Sequence, residues 1–136
     1  MAIFYHGTDS VSAQKILQKG FNARGCLTTD IDLAWHFAEC RIEELKENDE
    51  LLEDTDEIVI KVEVENIDLV VDYPAYEEPI TIYRNNFCNN ESDWHQGIED
   101  GDIPYPLNET DVETALSVTT CVRAKVLIAG ERFSIA

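Results

Sequence analysis

Residues 58–65 read Ile-Val-Ile-Lys-Val-Glu-Val-Glu, and from residue 60 onward apolar and charged side chains alternate. Successive side chains of a β-strand point to opposite faces of a sheet, so this alternation predicts a strand with one buried and one solvated face. Shorter strand candidates follow along the chain at residues 69–71, 80–83, 116–118, 125–129 and 133–135. Because strands predominate after residue 57 and clear helical patterns precede it, the sequence predicts an α+β fold with segregated elements rather than alternating βαβ units.

The part before residue 57 begins with a strand candidate at residues 2–5 and continues with two helical patterns, separated by a brief strand candidate at residues 26–28. Asp9 or Ser10 can cap the first helix, and Gly20 follows its last turn, where a left-handed residue is favoured. Thr29 and Asp32 stand in the capping-box relation at the start of the second helix. That helix has the clearest periodicity in the chain, through Leu33, Ala34, Phe37, Ala38, Ile42 and Leu45.

The composition is that of a globular protein with an unusual charge. The length of 136 residues predicts one domain, residues 1–136, and the hydrophobic content of 44% is enough to bury a core. Ten Lys and Arg residues against 28 Asp and Glu residues give a net charge of −18. A field of that sign repels phosphate backbones and anionic membranes, so it excludes a sequence-independent grip on nucleic acid. Basic protein surfaces would instead be attracted.

The cysteines, at positions 26, 40, 88 and 121, show none of the two-residue spacings that mark a zinc knuckle or a redox pair. The first residues are too polar for an export signal, and the longest apolar stretches fall far below the ~20 residues that span a bilayer. We therefore expect a reduced, cytoplasmic protein, which includes one delivered into or expressed within a host cell. Secretion without a signal stays open.

Two long segments lack a regular apolar pattern. Residues 43–57 hold nine acidic residues and one lysine, too much charge to bury, which predicts a solvated helix end followed by a mobile loop. Residues 85–108 are rich in Asn, Asp, Gly and Pro and show little periodicity, which predicts a long loop.

The three histidines are the first candidates for chemistry. His36 and Cys40 have the i,i+4 spacing of two metal ligands on one helix, but no cluster offers the other ligands, so a plain helix-surface pair is favoured. His95 lies in the predicted loop, where an exposed or packed residue is the more typical interpretation. His6 ends the first strand and is followed by a glycine and a threonine, which let a ligand approach the backbone and supply a hydroxyl. His6 is therefore a candidate ligand donor, although a structural role is the alternative.

Several short motifs occur together in a recognisable order. Residues 4–8 read Phe-Tyr-His-Gly-Thr, residues 13–21 read Ala-x-x-Ile-Leu-x-x-Gly-Phe, and residues 27–38 contain Leu-Thr-Thr-Asp and then Ala-x-x-Phe-Ala. Residues 113–128 read Glu-Thr-Ala-Leu-Ser-Val-Thr-Thr-Cys-Val-Arg-Ala-Lys-Val-Leu-Ile. Over residues 3–38 and 109–129 the chain resembles ADP-ribosyltransferases of the poly(ADP-ribose) polymerase and diphtheria-toxin-like class, whose triad is His, Tyr and Glu. The resemblance implies a split β-sheet core with two N-terminal helices, and NAD as the substrate.

On this resemblance, His6 would hydrogen-bond the ribose on the nicotinamide side of NAD, and Gly7 would hold the nicotinamide amide through its backbone. Thr8 and Arg24 would contact the adenosine or pyrophosphate side. Glu113, before a strand, would bond the ribose 2′-hydroxyl and stabilise the cationic centre that forms as nicotinamide leaves. A carboxylate aimed at developing positive charge is preorganised electrostatic help. The resemblance thus makes His6 and Glu113 the catalytic residues and implies no metal.

The sequence departs from the family at the stacking tyrosine, which would fall at or next to Cys26 and Leu27. Nicotinamide stacking would then need another ring, from Trp35, Tyr73, Tyr76, Tyr83 or Phe87. Asp111 lies two residues before Glu113, at an offset where related transferases with a different triad place a residue that helps to select the acceptor. A solvated loop aspartate is the alternative interpretation.

Resemblance and charge together predict an NAD-dependent mono-ADP-ribosyltransferase that modifies a protein with a basic surface, such as a nucleic-acid-binding protein. A catalytic domain of this size without accessory domains is similar to a toxin or a phage- or pathogen-encoded effector that disables a host component. The alternative is a non-catalytic inhibitor on the same fold, whose acidic face mimics nucleic acid and blocks a basic groove. RNA 2′-phosphotransferase shares the fold but needs more basic residues than this chain offers, so it ranks last.

Overall fold

The computed structural model describes residues 2–77 and 91–136, the side chain of residue 91 excepted. Six strands form one sheet: β1 Ala2–Asp9, β2 Cys26–Thr28, β3 Glu57–Val64, β4 Leu69–Val71, β5 Cys121–Ala124 and β6 Phe133–Ile135. Their order is β4-β5-β2-β1-β3-β6, and every pairing is antiparallel. The helices of the described ranges are α1 Ser10–Lys19, α2 Ile31–Glu47, α3 Pro74–Glu77, α4 Glu91–Asp100 and α5 Val112–Val118. The α+β class is confirmed, and the described strands form no parallel βαβ unit.

The sheet divides beside the middle of β1. All eight residues of β1 pair with β3, from Ala2 opposite Val64 to Asp9 opposite Glu57. With β2, by contrast, β1 shares the single register pair Tyr5–Thr28. The backbones of β1 and β2 are therefore held together at one point, and the next residue of β1, His6, lies where they separate.

The strand β3 forms as its alternating pattern predicts. Val62 and Val64 are buried, whereas the alternate residues Lys61 and Glu63 are exposed. The buried members join one hydrophobic core with residues of β1, β2, β5 and α1, among them Phe4. Burial of this apolar face is what stabilises the central strand pair.

Both N-terminal helices begin and end at capping residues. Asp9 caps α1, since its carboxylate accepts a hydrogen bond from the Ser12 amide at 2.8 Å, and Gly20 ends the helix at φ 97°. These two predictions are confirmed. For α2 the predicted cap was wrong: Asp30, not the Thr29–Asp32 pair, accepts the bonds from the first amides. The predicted apolar stripe of α2 is buried against the sheet at Leu33, Ala34, Ala38, Ile42 and Leu45.

Helix α2 lies so close to β1 that it leaves no room for a side chain at Gly7. A Cβ built there would fall 1.7 Å from the carbonyl oxygen of Ala34 and 2.9 Å from the amide nitrogen of Ala38. Glycine at this position is therefore required by helix–sheet packing, in addition to any contact that its backbone makes with a ligand.

Two of the predicted strands were wrong. Residues 116–118 belong to α5, because Asp111 caps the segment and Val112, Ala115 and Val118 bury one helical face. Residues 125–129 form no strand and contribute one isolated bridge, between Ile128 and Phe21. The predicted strand at 80–83 lies outside the described residues.

The predicted loop at 85–108 contains α4, within its described part. Trp94 anchors this helix: its side chain is fully buried and its indole nitrogen donates to the carbonyl of Tyr76 at 2.7 Å. Ile98, four residues later, packs against the same hydrophobic cluster as Trp94. The two residues have helical spacing, so the prediction of a loop over this stretch was wrong.

Candidate functional site

His6 is oriented by its neighbours at the point where β1 and β2 separate. Its Nδ1 lies 2.8 Å from the carbonyl oxygen of Cys26, and because a carbonyl accepts only, Nδ1 carries the hydrogen and donates. The ring of Phe21 meets the imidazole edge-on, with 4.8 Å between centroids. Burial lowers the pKa of His6, with the Cys26 hydrogen bond opposing, so the ring is neutral at pH 7. Its Nε2 is then an unprotonated acceptor.

His6 is among the lining residues of two cavities. The larger measures about 510 Å³ and lies between β1, α1 and the turn that precedes β2. The smaller measures about 170 Å³ and lies between β1, β2 and α2.

The larger cavity is basic. Lys15 and Lys19, one turn apart on α1, line it together with Arg41 from α2, and no acidic residue is among its lining residues. Three of the ten Lys and Arg residues of a chain with net charge −18 thus surround one cavity. Within the described ranges Lys15 and Lys19 form no ion pair. An anionic ligand would find its strongest attraction here.

Arg41 is held in place by a buried carboxylate. Its Nε lies 3.2 Å from Oδ2 of Asp9, whose side chain is 3% exposed. Burial opposes ionisation of Asp9, but hydrogen bonds from Ser12 and from Arg41 outweigh it and lower the pKa. Asp9 is therefore ionised, and it is used as helix cap and as partner of Arg41 rather than offered to a ligand.

The smaller cavity has mostly apolar walls, which include Tyr5, Leu27 and Phe37. Its polar lining comprises His6, Thr28, Cys26 and Asp72. Such a cavity suits an aromatic ring with one polar or charged edge.

Asp72, in the smaller cavity, forms a buried ion pair. The Nε of Arg123 donates to its Oδ1 at 2.9 Å, and the side chain of Asp72 is 8% exposed. Burial, and next the charge of Asp72, raise the pKa of the Cys26 thiol, so the thiol stays protonated near this carboxylate.

The other residues that the resemblance assigned to NAD lie at or near these cavities. Thr8 lines the larger cavity, and Gly7 lines the smaller one. Arg24 lies in the adjoining turn at φ 72°, but its exposed side chain is not among the lining residues of either cavity.

Glu113 occupies a different local structure from the predicted one. It lies in the first turn of α5 and is exposed, not at the entry of a strand, because the following strand, β5, begins eight residues later at Cys121. Neither cavity at His6 has Glu113 among its lining residues. The residues that precede β5 are Thr119 and Thr120, so hydroxyls rather than a carboxylate stand at that strand entry.

Asp111 is the N-cap of α5. Its carboxylate accepts hydrogen bonds from the amides of Leu107, at 2.9 Å, and Thr114, at 3.5 Å, and the first of these is the main reason why its pKa is lowered. Asp111 is a solvated residue that precedes the helix, as the alternative interpretation expected, and its side chain has in addition a capping role.

The aromatic candidates for stacking are distributed away from the cavities. Tyr76 is 1% exposed and packs with Trp94 in the second hydrophobic core, and Trp35 is on the exposed side of α2. Neither these two nor Tyr73 lines the smaller cavity. Tyr83 and Phe87 lie outside the described residues. The rings that do line it are Tyr5 and Phe37, which the sequence analysis had assigned only to a strand and to a helical stripe.

The remaining candidates are on the surface. His36 and Cys40 are exposed on α2, with 3.6 Å between Nε2 and Sγ, and the described residues hold no group of three or more metal-ligating side chains. His95 is exposed on α4. The nine acidic residues of 43–57 are all exposed, as predicted, so this acidic segment is solvated.

Comparison with known proteins adds no relative to this picture. No family model matches the chain, and neither a curated protein nor a solved structure matches it. Over the described ranges, the helices are too short or too polar to cross a membrane.

Proposed function

We propose that this chain is a mono-ADP-ribosyltransferase that binds NAD at His6 and modifies a protein with a basic surface. The observation that carries the proposal is that one neutral histidine, His6, is among the lining residues of both a basic and an apolar cavity. NAD has the matching parts: an anionic pyrophosphate, two riboses, and a flat cationic nicotinamide ring.

The pyrophosphate half fits the larger cavity. Lys15 and Lys19 supply the charges, and Thr8, also a lining residue, adds a hydroxyl. The imidazole Nε2, an acceptor, suits a ribose hydroxyl, which donates.

The nicotinamide ring fits the smaller cavity. Phe37 and Tyr5 offer aromatic walls to the ring. Aromatic faces attract a cationic ring, and they replace the stacking tyrosine that the sequence lacks at Cys26.

The partner follows from charge. With a net charge of −18 and an exposed acidic segment at 43–57, the field of the chain speeds encounter with a basic surface. A nucleic-acid-binding protein has such a surface, and its groove is the target class that we propose. An effector that disables a host component would act in this way.

The same acidic segment favours the second candidate, a non-catalytic inhibitor that mimics nucleic acid. Three of its carboxylates, at Glu43, Glu44 and Glu47, lie in the last turns of α2, where the helix dipole is negative and acidic side chains destabilise. Glu43 and Glu44 pair with Lys46 and Arg41 on the same helix, and all three glutamates extend an anionic surface.

The experiment that separates the two candidates is NAD titration by calorimetry, with transfer of labelled ADP-ribose to proteins of a cell extract. His6→Ala should weaken binding or turnover by about tenfold or more, because a hydrogen bond in such a site contributes roughly 1.5–3 kcal/mol. His36→Ala is the matched control, an exposed histidine of α2 that lines neither cavity.

Wild-type protein that neither binds NAD nor labels any protein, but still inhibits a basic partner, would replace the first candidate by the mimic. Retained NAD binding in His6→Ala would remove this residue from the site.

A further inference from the structure

The proposed reaction needs a carboxylate next to the ribose carbon that loses nicotinamide, because positive charge develops there in the transition state. Resemblance assigned this role to Glu113, but that residue is exposed on α5 and lines neither cavity at His6. We infer that Asp72 is the catalytic carboxylate of this site. The inference rests on the proposed function.

Position is the first argument for Asp72. It is the one acidic residue among those lining the two cavities that His6 also lines. It directly follows β4, whose last residue, Val71, pairs with Val122 of β5. Antiparallel register therefore places Asp72 beside Cys121, the first residue of β5. A carboxylate thus stands next to the entry of β5, supplied by the neighbouring strand rather than by β5 itself.

Orientation is the second argument. Arg123 donates from Nε to Oδ1 of Asp72 at 2.9 Å, and from Nη1 to the carbonyl of Arg24 at 3.1 Å. The same guanidinium therefore ties the carboxylate to the turn beside the larger cavity. An ionised carboxylate has about four acceptor positions, so the donor from Arg123 orients it and leaves capacity for a ribose hydroxyl.

The chemistry balances with NAD, the acceptor and these residues alone. The bond between the ribose C1′ and the nicotinamide nitrogen breaks, and its electron pair leaves with nicotinamide, which becomes neutral. The acceptor heteroatom forms a new bond to C1′ and releases its proton to water. Asp72 stabilises the positive charge on the ribose between these events and is unchanged at the end.

Asp9 shows by contrast what a structural carboxylate looks like in this fold. It also pairs with an arginine, but its oxygens are used by Ser12 and Arg41 and it lines neither cavity. Asp72 differs because it faces the cavity that His6 lines.

The test is nicotinamide release from NAD in the presence of a cell extract, measured for wild type, Asp72→Asn and Glu113→Gln. Asp72→Asn keeps the shape of the side chain and should lower kcat by about 10²–10³, the typical loss for one preorganised interaction. The Kd for NAD should change by less than about threefold, because the charge matters most in the transition state. Glu113→Gln should retain the wild-type rate.

Asp72→Asn leaves the guanidinium of Arg123, 29% exposed, without its carboxylate, so the variant could lose stability. The double variant Asp72→Asn/Arg123→Gln replaces the ion pair by two amides and should regain stability while kcat stays low. Thermal melting of each variant separates a folding defect from a catalytic one.

Wild-type turnover in a folded Asp72→Asn or double variant would overturn the role of Asp72 and leave the proposed function standing. The same holds if Glu113→Gln loses activity while Asp72→Asn keeps it. An equal loss in kcat and in NAD affinity would make Asp72 a binding residue only. Absence of NAD turnover in the wild type would overturn the proposed function itself.

Discussion

Gly7→Ala tests the contact between α2 and β1, on which both cavities depend. The added Cβ would lie 1.7 Å from the carbonyl oxygen of Ala34. Carbon–oxygen contacts settle at about 3.3–3.6 Å, so α2 would have to retreat by about 1.6 Å or more. A gap of 0.5–1 Å already forfeits roughly a quarter to a half of a dispersion contact. Since α2 buries five apolar side chains, we expect a loss of about 3 kcal/mol in the free energy of unfolding.

For a domain of this size, 1 kcal/mol corresponds to about 3–5 °C in Tm, so Gly7→Ala should melt at least about 10 °C below wild type. Circular dichroism melting and urea unfolding would measure it. Ala34→Gly should give no rescue, because the clash is with backbone. NAD affinity should also fall, since Phe37 and Arg41 move with the helix.

Gly97→Ala is the matched control. There the added Cβ would meet only side-chain atoms of Ile103, with Cδ1 at 2.8 Å and Cγ1 at 3.0 Å, and no backbone. Alanine in a helix also gains about 0.5–1 kcal/mol over glycine. Its Tm should stay within about 3 °C of wild type. A Gly7→Ala protein that melts like the control would refute the close approach of α2 to β1.

Three further predictions concern charge. The double variant Lys15→Gln/Lys19→Gln should weaken NAD binding by roughly tenfold or more at about 0.1 M salt. The effect should be smaller at about 1 M salt, where charges are screened. Calorimetry at both salt concentrations measures this, and the control variant Lys46→Gln should show no change. Replacing Glu47, Asp49, Glu50 and Glu53 by Gln or Asn should leave Tm unchanged or raise it by relieving repulsion, and a large fall would contradict the solvated position of these carboxylates. NAD affinity should stay constant from about pH 8 to about pH 6.5 and fall only at lower pH. The reason is that the pKa of His6 lies below its usual value and that protonation turns Nε2 into a donor. NAD titrations across this pH range would reject the neutral tautomer if acid strengthened binding.

Local patterns predicted the N-terminal elements because each pattern and its cause lie close together in sequence. The alternation in β3, the cap at Asp9, the stop at Gly20 and the stripe of α2 depend on neighbours a few residues away. The sequence also singled out His6, but the prediction that His6 ends the first strand was wrong, since β1 continues to Asp9 and pairs with β3 over its whole length.

Elements fixed by tertiary contacts could not be predicted in this way. Helix α4 depends on the burial of Trp94 against Tyr76, and α5 was mistaken for a strand because the three residues 116–118 suit either structure. One signal for the basic cavity was present but unused: Lys15 and Lys19, at i,i+4 on the helix after His6, in a chain with few cations.

Asp72 shows the same limit for the candidate site. Nothing in its sequence neighbourhood distinguishes it from the other 27 acidic residues of the chain. Its partner, Arg123, is 51 residues away, and it lines the same cavity as His6 only because β4, β5, β2 and β1 are neighbours in the sheet. Such a site is created by strand order, which a local pattern does not contain.

The strands β1 and β2 share one register pair, and beside it the imidazole of His6 donates a hydrogen bond to the carbonyl of Cys26. This side-chain hydrogen bond links the two strands where their backbones separate. His6 thus links the two strands with one ring nitrogen and offers the other ring nitrogen to a ligand. Acidification adds a proton at Nε2 and leaves the Nδ1 hydrogen where it is, because both nitrogens of an imidazolium donate. At low pH the imidazole would therefore no longer accept a hydrogen bond from a ligand, while the link between β1 and β2 remains. Truncation of the side chain would remove both the acceptor and the link.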